Sequence, residues 1–285
     1  MSSIYPSPTA APPAGRHAAR ILRTPPGLLL AWLVIAAVLA WAVAPGWFTS
    51  HSATLGQAGQ QLQAPGAAHW LGTDALGRDV YARLVYGAVH SLTGALLAVG
   101  IGLAVGTLLG LVAGAAGGWV EDAVMRLVDV LLAVPSLLLA LSVIIILGFG
   151  PLNAAIAVGV TSVASFARVV RSEVVRVRRS EYVEAAFGSG GRWCSVLWRH
   201  VLPNSLTSVT ALAALQFGWA ILQIATLGFL GYGTPPPTPE WGLLIAEGRN
   251  YVATAWWLTT APGLLVVAVV LSANRIGAAI AQGRA

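Results

Sequence analysis

The chain has 285 residues, of which 57% are hydrophobic and only 9% charged, with a formal net charge of +6 and a mean hydropathy of +0.77. A soluble domain carries about 25% charged residues, so a water-facing surface cannot be assembled from these and the composition points to a membrane protein. All 16 basic residues are arginine; the lack of lysine excludes a Walker A phosphate loop and Schiff-base chemistry, so any ATP used is hydrolysed by another chain.

Residues 1–26 read as a Pro- and Ala-rich tail carrying Arg16, Arg20 and Arg23. A helix needs roughly 20 mainly apolar residues to cross the hydrocarbon core, and that ruler gives six spans, near 27–45, 88–116, 127–148, 151–170, 204–230 and 257–278. Their length and lack of alternation argue for helices, because lipid requires every backbone polar group to be paired within the segment. The first span is expected to be a retained anchor rather than a cleaved signal peptide. The organisation expected is a tail (1–26), a first helix with an outer loop (27–87), a helical core (88–280) and a short tail (281–285).

In the outer loop, Asp74, Arg78, Asp79 and Arg83 are spaced to pair across successive helical turns and fix its shape. The second span carries small residues every fourth position, Gly94, Ala98, Gly102, Gly106, Gly110, Gly114 and Gly118. They form a groove that a neighbouring helix can enter, serving either static packing or sliding. Asp122, Arg126 and Asp129 have the spacing to pair along the third span. Pro135, Pro151 and Pro262 are positions for a kink or a helix start, since proline removes a hydrogen bond.

Between the fourth and fifth spans, residues 168–204 turn amphipathic and rich in arginine. Glycines at 188, 190 and 191 suggest two short helices joined at a corner, and Pro203 suits the first turn of the next helix. Counting arginines before span one, between spans four and five, and at Arg275 and Arg284 places these segments and both termini in the cytoplasm. The lone Cys194 is then an inert reduced thiol. Beyond the fifth span, residues 231–256 fall outside; the proline run at 235–239 reads as a stiff extended spacer. Trp241, Leu244, Ile245, Arg249, Tyr251, Trp256 and Trp257 make a half-buried surface, suited to interfacial anchoring or to docking of a substrate-binding protein. Within the spans, Asn153, Gln216, Trp219 and Gln223 are the polar candidates for a pathway, although such residues also simply join helices.

Glu181, Tyr182 and Glu184-Ala185-Ala186, with Gly190 six positions after Glu184 and His200-x-Leu202-Pro203 ten after that glycine, resemble the EAA loop of bacterial ABC importer permeases. The blocks His69-Trp70-Leu71-Gly72-Thr73-Asp74 and Gly77-Arg78-Asp79-Val80, with Phe229 to Gly233 and Glu240-Trp241-Gly242, are similar to the second permease subunit of dipeptide, oligopeptide and nickel importers. The resemblance covers residues 20–280. It implies an all-α polytopic bundle of six transmembrane helices, the type I ABC importer transmembrane domain, in the inner membrane. It also implies a second permease subunit, two cytoplasmic ATPase subunits gripping the 181–204 loop, and an extracytoplasmic substrate-binding protein. No cofactor or metal is expected on this chain, with ATP and Mg acting on the partners; lipid surrounds it, and no nucleic acid is implied.

The sequence departs from that family at Val89, where an arginine is common, and at Ile224, near which a glutamate is frequent. A nickel or opine-type metal-chelate importer therefore stands as an alternative to a peptide importer. Two other classes have less support. An intramembrane hydrolase lacks a nucleophile with a base or a His-Glu-x-x-His pair, and an ion-coupled secondary transporter would need ionisable residues or broken helices at the midplane.

Overall fold

A computed structural model describes residues 26–181, Val183 and 202–282, without the side chains of 202–208. Its helices are α1 (Pro26–Val43), α2 (Val80–Ala116), α3 (Gly118–Ala133), α4 (Ser136–Leu147), α5 (Pro151–Arg178), α6 (Leu202–Phe229), α7 (Trp241–Gly248) and α8 (Trp257–Ala281). Five of these are long and apolar enough to cross a membrane, and α3 with α4 makes a sixth, bent candidate. Among the described residues there is no strand, only an isolated bridge between Thr73 and Asp79.

The most extensive helix pair is α2 with α5, with α6 laid across both, α8 on α6, and α1 on the outside against α8 and α2. The small-residue ladder of α2 is the reason for that first pairing. A Cβ added at Gly106 would lie 2.5 Å from Phe166 Cβ and 2.7 Å from Val163 O; at Gly110 it would lie 2.5 Å from Ala167 O and 2.7 Å from Val170 Cβ. Gly102 and Gly114 meet Ser162 and Val174 of α5 in the same way, while Gly94 faces Ile224 of α6. The ladder stops at Gly114. Gly117 (φ 68°) and Gly118 (φ 56°) take the left-handed conformation that ends α2, so Gly118 belongs to an elbow and not to the seam expected of it.

Three expectations about the elements change. The helix expected at 88 begins at Val80, because Asp79 caps it by accepting the Ala82 N–H at 2.7 Å. With 37 residues it is about 55 Å long, well beyond the hydrocarbon thickness. The boundary between outer loop and core therefore falls before this helix. The third span is two helices bent by 98° at Val134–Pro135. Pro135 lacks an N–H and forces the preceding residue into extended geometry, and Val134 has ψ 130°. The proline run is no straight spacer, since the chain turns at Pro236–Pro237.

At the end holding the start of α2, residues 56–83 fold into a cap. Asp74 Oδ1 accepts the backbone N–H groups of Leu76 and Arg78, and Oδ2 accepts Arg78 Nε and Arg83 Nη1, both at 2.6 Å. Glu247 of α7 accepts the same two guanidinium groups at 3.1 and 2.5 Å. Arg83 is 1% exposed. These ion pairs do fix the outer loop, but Asp74 and Arg78 precede the helix and the fourth partner is Glu247, not Asp79. The indole N–H groups of Trp241 and Trp257 donate to Leu84 O and Thr73 O, completing the link to α7 and α8.

At the opposite end of α2, Arg178 Nη1 donates to the carbonyls of Gly114 and Ala115 at 3.1 and 2.8 Å, satisfying groups that a helix terminus leaves open. Arg171 Nε donates to Glu121 at 2.6 Å and Arg168 pairs with Asp129. Of the trio expected to pair within the third span, Asp129 pairs instead with Arg168 of α5, and among the described residues no ion pair forms between Asp122, Arg126 and Asp129.

Two predictions follow from this packing. Gly106→Ala or Gly110→Ala drives a methyl into backbone atoms of α5 and lowers the thermal midpoint of the purified chain, at a cost of about 1–3 kcal/mol. Gly100→Ala, with nothing within 4 Å, leaves the midpoint unchanged or raises it. In the cap, burial raises the Asp74 carboxyl, but the Arg78 and Leu76 amides and the Arg78 and Arg83 guanidinium groups outweigh it and hold the group below its ordinary value. Its contribution is therefore present above the unfolded value of 3.8 and is lost as pH falls through the lower folded value. Asp74→Ala leaves two buried arginines sharing Glu247 alone and costs about 3–5 kcal/mol. The gap to wild type in thermal melts stays constant from neutral pH down to that unfolded value and narrows only below it.

Candidate functional site: a polar cavity at the helix break

The break between α3 and α4 opens a cavity of about 330 Å³ against α5 and α6. Its polar lining is Ser136, Thr161, Ser162, Ser165 and Gln216, with Trp219 on one wall. Two of the four pathway candidates, Gln216 and Trp219, are brought together here, and Trp219 is 45% exposed. Gln223 sits one helical turn beyond Trp219, is 6% exposed and donates to Ser136 Oγ at 3.0 Å, holding α6 against the first turn of α4. Asn153 is elsewhere. Its amide donates to the carbonyls of Leu147 and Gly148 at 3.0 and 3.1 Å and closes the C-terminus of α4, so both its donors are committed to helix joining.

Ser136, Thr161 and Ser165 escaped the sequence reading because a hydroxyl in an apolar helix normally bonds the preceding turn, as Thr161 and Ser162 do to Val158 O. Nothing in their spacing separates such residues from a cavity lining. Among the described residues the lining holds no Asp, Glu or Arg. Its chemistry is hydrogen bonding plus one indole face.

A second cavity, about 230 Å³, lies near the cap among His90, Thr93, Gly94, Ile224, Thr234 and Glu240. Glu240, unassigned in the sequence reading, is 1% exposed and caps α7. Its Oε1 accepts from Gly242 N at 2.9 Å and Ser91 Oγ at 3.3 Å, and its Oε2 from Leu243 N at 3.0 Å. Burial pushes this carboxyl above its ordinary value, against the pull of those three donors. A Cβ on Gly228 would come within 2.1 Å of Glu240 Oε2, so the α6 backbone is what admits the carboxyl. Ile224, where the family often has a charge nearby, faces this cavity and packs on Gly94.

The proposed docking residues divide. Trp241 is 0% exposed, with its N–H on Leu84 O, and is a strut between α7 and α2 instead of a contact surface. Leu244 and Trp257 are buried as well, leaving exposed Arg249 and Trp256 and partly buried Tyr251. Their burial follows from α7 folding back onto α6 and α8, which no local pattern announces.

Of the expected coupling loop, Glu181 is exposed just after α5, and Leu202 and Pro203 open α6. Tyr182, Glu184, Ala185, Ala186, Gly190 and His200 lie outside the described residues. Helix α5 runs to Arg178, past the expected end near 170, so the loop begins beside the α2–α3 elbow to which Arg178 is bonded.

Residues 106–285 match the family model described as binding-protein-dependent transport system inner membrane component. The chain is 38% identical to the dipeptide transport system permease protein DppC of Alkalihalophilus pseudofirmus, covering 96% of this chain and 93% of that one. It is 42% identical to a di/tripeptide permease DppC of Pseudomonas aeruginosa over 76% and 71% of the two chains. It is 39% identical to the glutathione permease GsiD of Pectobacterium atrosepticum over 75% and 71%. In backbone it is similar to the inward-facing MetNI methionine ABC transporter, with TM-score 0.59 and 17% identity over 71% of this chain and 96% of that one, which gives the type I importer fold. On the match of the family model and the near-complete alignment with a permease, this chain belongs to the family of binding-protein-dependent transport system inner membrane components.

Proposed function

We propose that the chain is one of two membrane subunits of an ATP-driven importer of di- or oligopeptides. The observation that carries this reading is the alignment, nearly end to end, with a dipeptide permease. The three permeases aligned in sequence above are named for dipeptides, di/tripeptides and glutathione, itself a tripeptide. The metal-chelate alternative rests only on Val89 and Ile224. The cavity at the α3–α4 break fits a peptide of variable side chains, because hydroxyls and an amide address the backbone that all peptides share while no fixed charge selects a residue.

The arginine-rich end faces the cytoplasm in this reading. Arg168, Arg171, Arg176 and Arg178 gather at the end of α5, and Arg275 of α8 lies beside Gly27 at the start of α1, so this reading puts these arginines on one side and Arg78, Arg83 and Arg249 on the other. ATP, with Mg, closes two separate ATPase subunits that grip residues 181–204 through Glu184, Ala185, Ala186 and Gly190. Because α5 is seated in the α2 groove and bonded to the elbow through Arg171 and Arg178, a pull on that loop moves α2, α3 and α5 as one body. That body borders the cavity at the break, so its displacement relative to α6 switches access from one side to the other. A substrate-binding protein delivers cargo at the cap, where Arg249 and Tyr251 are the contact residues.

The test reconstitutes the chain with its co-encoded permease, ATPase and binding-protein subunits. Glu184→Ala or Gly190→Asp is expected to lower dipeptide-stimulated ATP hydrolysis and uptake together by at least about tenfold, while the complex still assembles. Trp219→Ala is expected to impair uptake with basal hydrolysis retained. Undiminished uptake in the loop variants would refute the coupling role, and transport of nickel but of no peptide would refute the cargo.

A further inference from the structure

The five histidines are scattered along the sequence, yet the fold gathers two of them with a carboxylate. We propose that His51, His69 and Asp79 bind one divalent transition cation of the zinc and nickel group, clipping the segment that follows α1 to the start of α2. One donor atom from each of the three lies within 4.8 Å of the others. The His51 and His69 rings have centroids 5.1 Å apart and are tilted by 46°.

Two of the ligands are already held in place. Asp79 Oδ1 is occupied by the Ala82 N–H, which leaves Oδ2 directed at His69 Nδ1 at 2.7 Å. On the other side of the ring, His69 Nε2 faces Gln60 Oε1 at 2.8 Å. A neutral ring satisfies that pair by donating Nδ1–H to Asp79 Oδ2, with Nε2 turned to the Gln60 amide. What singles the cluster out is His51, a third donor brought beside an ordered His–carboxylate pair.

Donors around a zinc ion stand about 3.3 Å apart, given bonds of about 2.0–2.2 Å in tetrahedral geometry. Reaching that from the present spread requires the 2.7 Å contact between His69 and Asp79 to open by about 0.6 Å and His51 to swing in; His51 is partly exposed and its ring makes no hydrogen bond among the described residues. His69 and Asp79 are both buried, so the metal would be shielded on the protein side. A cavity of about 250 Å³ beside them, lined by Phe48, Ser50, Trp70 and Tyr81, leaves room for a water as fourth ligand. Two imidazoles and one carboxylate suit zinc, nickel or copper; magnesium and calcium require oxygen ligands that this site lacks.

The ion is a resident clip and not cargo, so the proposal stands whatever the importer carries. Its effect is to join residue 51 to residues 69 and 79 across an intervening loop, restraining how α1 sits on α2 at the cap.

The experiment uses the full-length chain in detergent without a polyhistidine tag, stripped with chelator and titrated with Zn²⁺, Co²⁺ or Mg²⁺. One Zn²⁺ per chain is expected, with a raised thermal midpoint, a tetrahedral Co²⁺ absorption spectrum, and no response to Mg²⁺. His51→Ala and His51→Gln are expected to weaken Zn²⁺ binding at least about tenfold and to abolish the midpoint shift, while the metal-free midpoint stays that of the wild type. Zinc binding equal in wild type and both variants would place the ion elsewhere and overturn the proposal. Failure of the wild type to bind zinc would overturn it too, leaving an ordinary His69–Asp79 hydrogen bond.

Discussion

The contact between α2 and α5, made without side chains on one partner, is the interaction on which the rest of the bundle depends. Lipid offers no hydrophobic drive for two apolar helices to associate, so the gain must come from close van der Waals contact. Gly102, Gly106, Gly110 and Gly114 bring α5 near enough that their missing methyls would touch its backbone carbonyls. Helix α6 then packs on both members of that pair, and α8 and α1 follow outward. Loosening the seam would disturb every later layer.

Charge is confined to the two ends of this seam and handled differently at each. At the cap, two buried arginines are balanced by two carboxylates drawn from a loop and from α7, giving a locally neutral cluster. Such a cluster is weak evidence for stability in itself, since desolvation offsets much of the attraction. What it does is fix geometry: the loop before α2, the start of α2 and α7 cannot move independently. At the other end, Arg171 pairs with the partly buried Glu121, and the exposed Arg178 bonds the carbonyls of the buried Gly114 and Ala115. These links tie α5 to the elbow on the side of the proposed handle.

The cavity at the α3–α4 break joins these observations. Its existence depends on Pro135, which ends one helix and starts the next at nearly a right angle. Its polarity depends on hydroxyls that α5 turns toward the gap, and its far wall on Gln216 and Trp219 of α6. In the function proposed above, a pathway lined this way addresses what peptides have in common, and selection among cargoes falls to the proposed binding protein.

The sequence alone determined the class of molecule, since charge content and apolar run length are properties of composition and spacing, and lipid admits few architectures that satisfy the backbone. It also specified the α2 seam, because a repeat of four places small residues on one face of a helix wherever that helix ends up. Tertiary structure decided which residues meet. Trp241 became a buried strut, Asp129 turned to Arg168, Asn153 closed a helix end, Glu240 met Ser91 from far along the chain, and His51 and His69 came together at the cap. Those outcomes depend on how helices cross and on where α7 folds back, which are cooperative consequences of packing and leave no local trace in the order of amino acids.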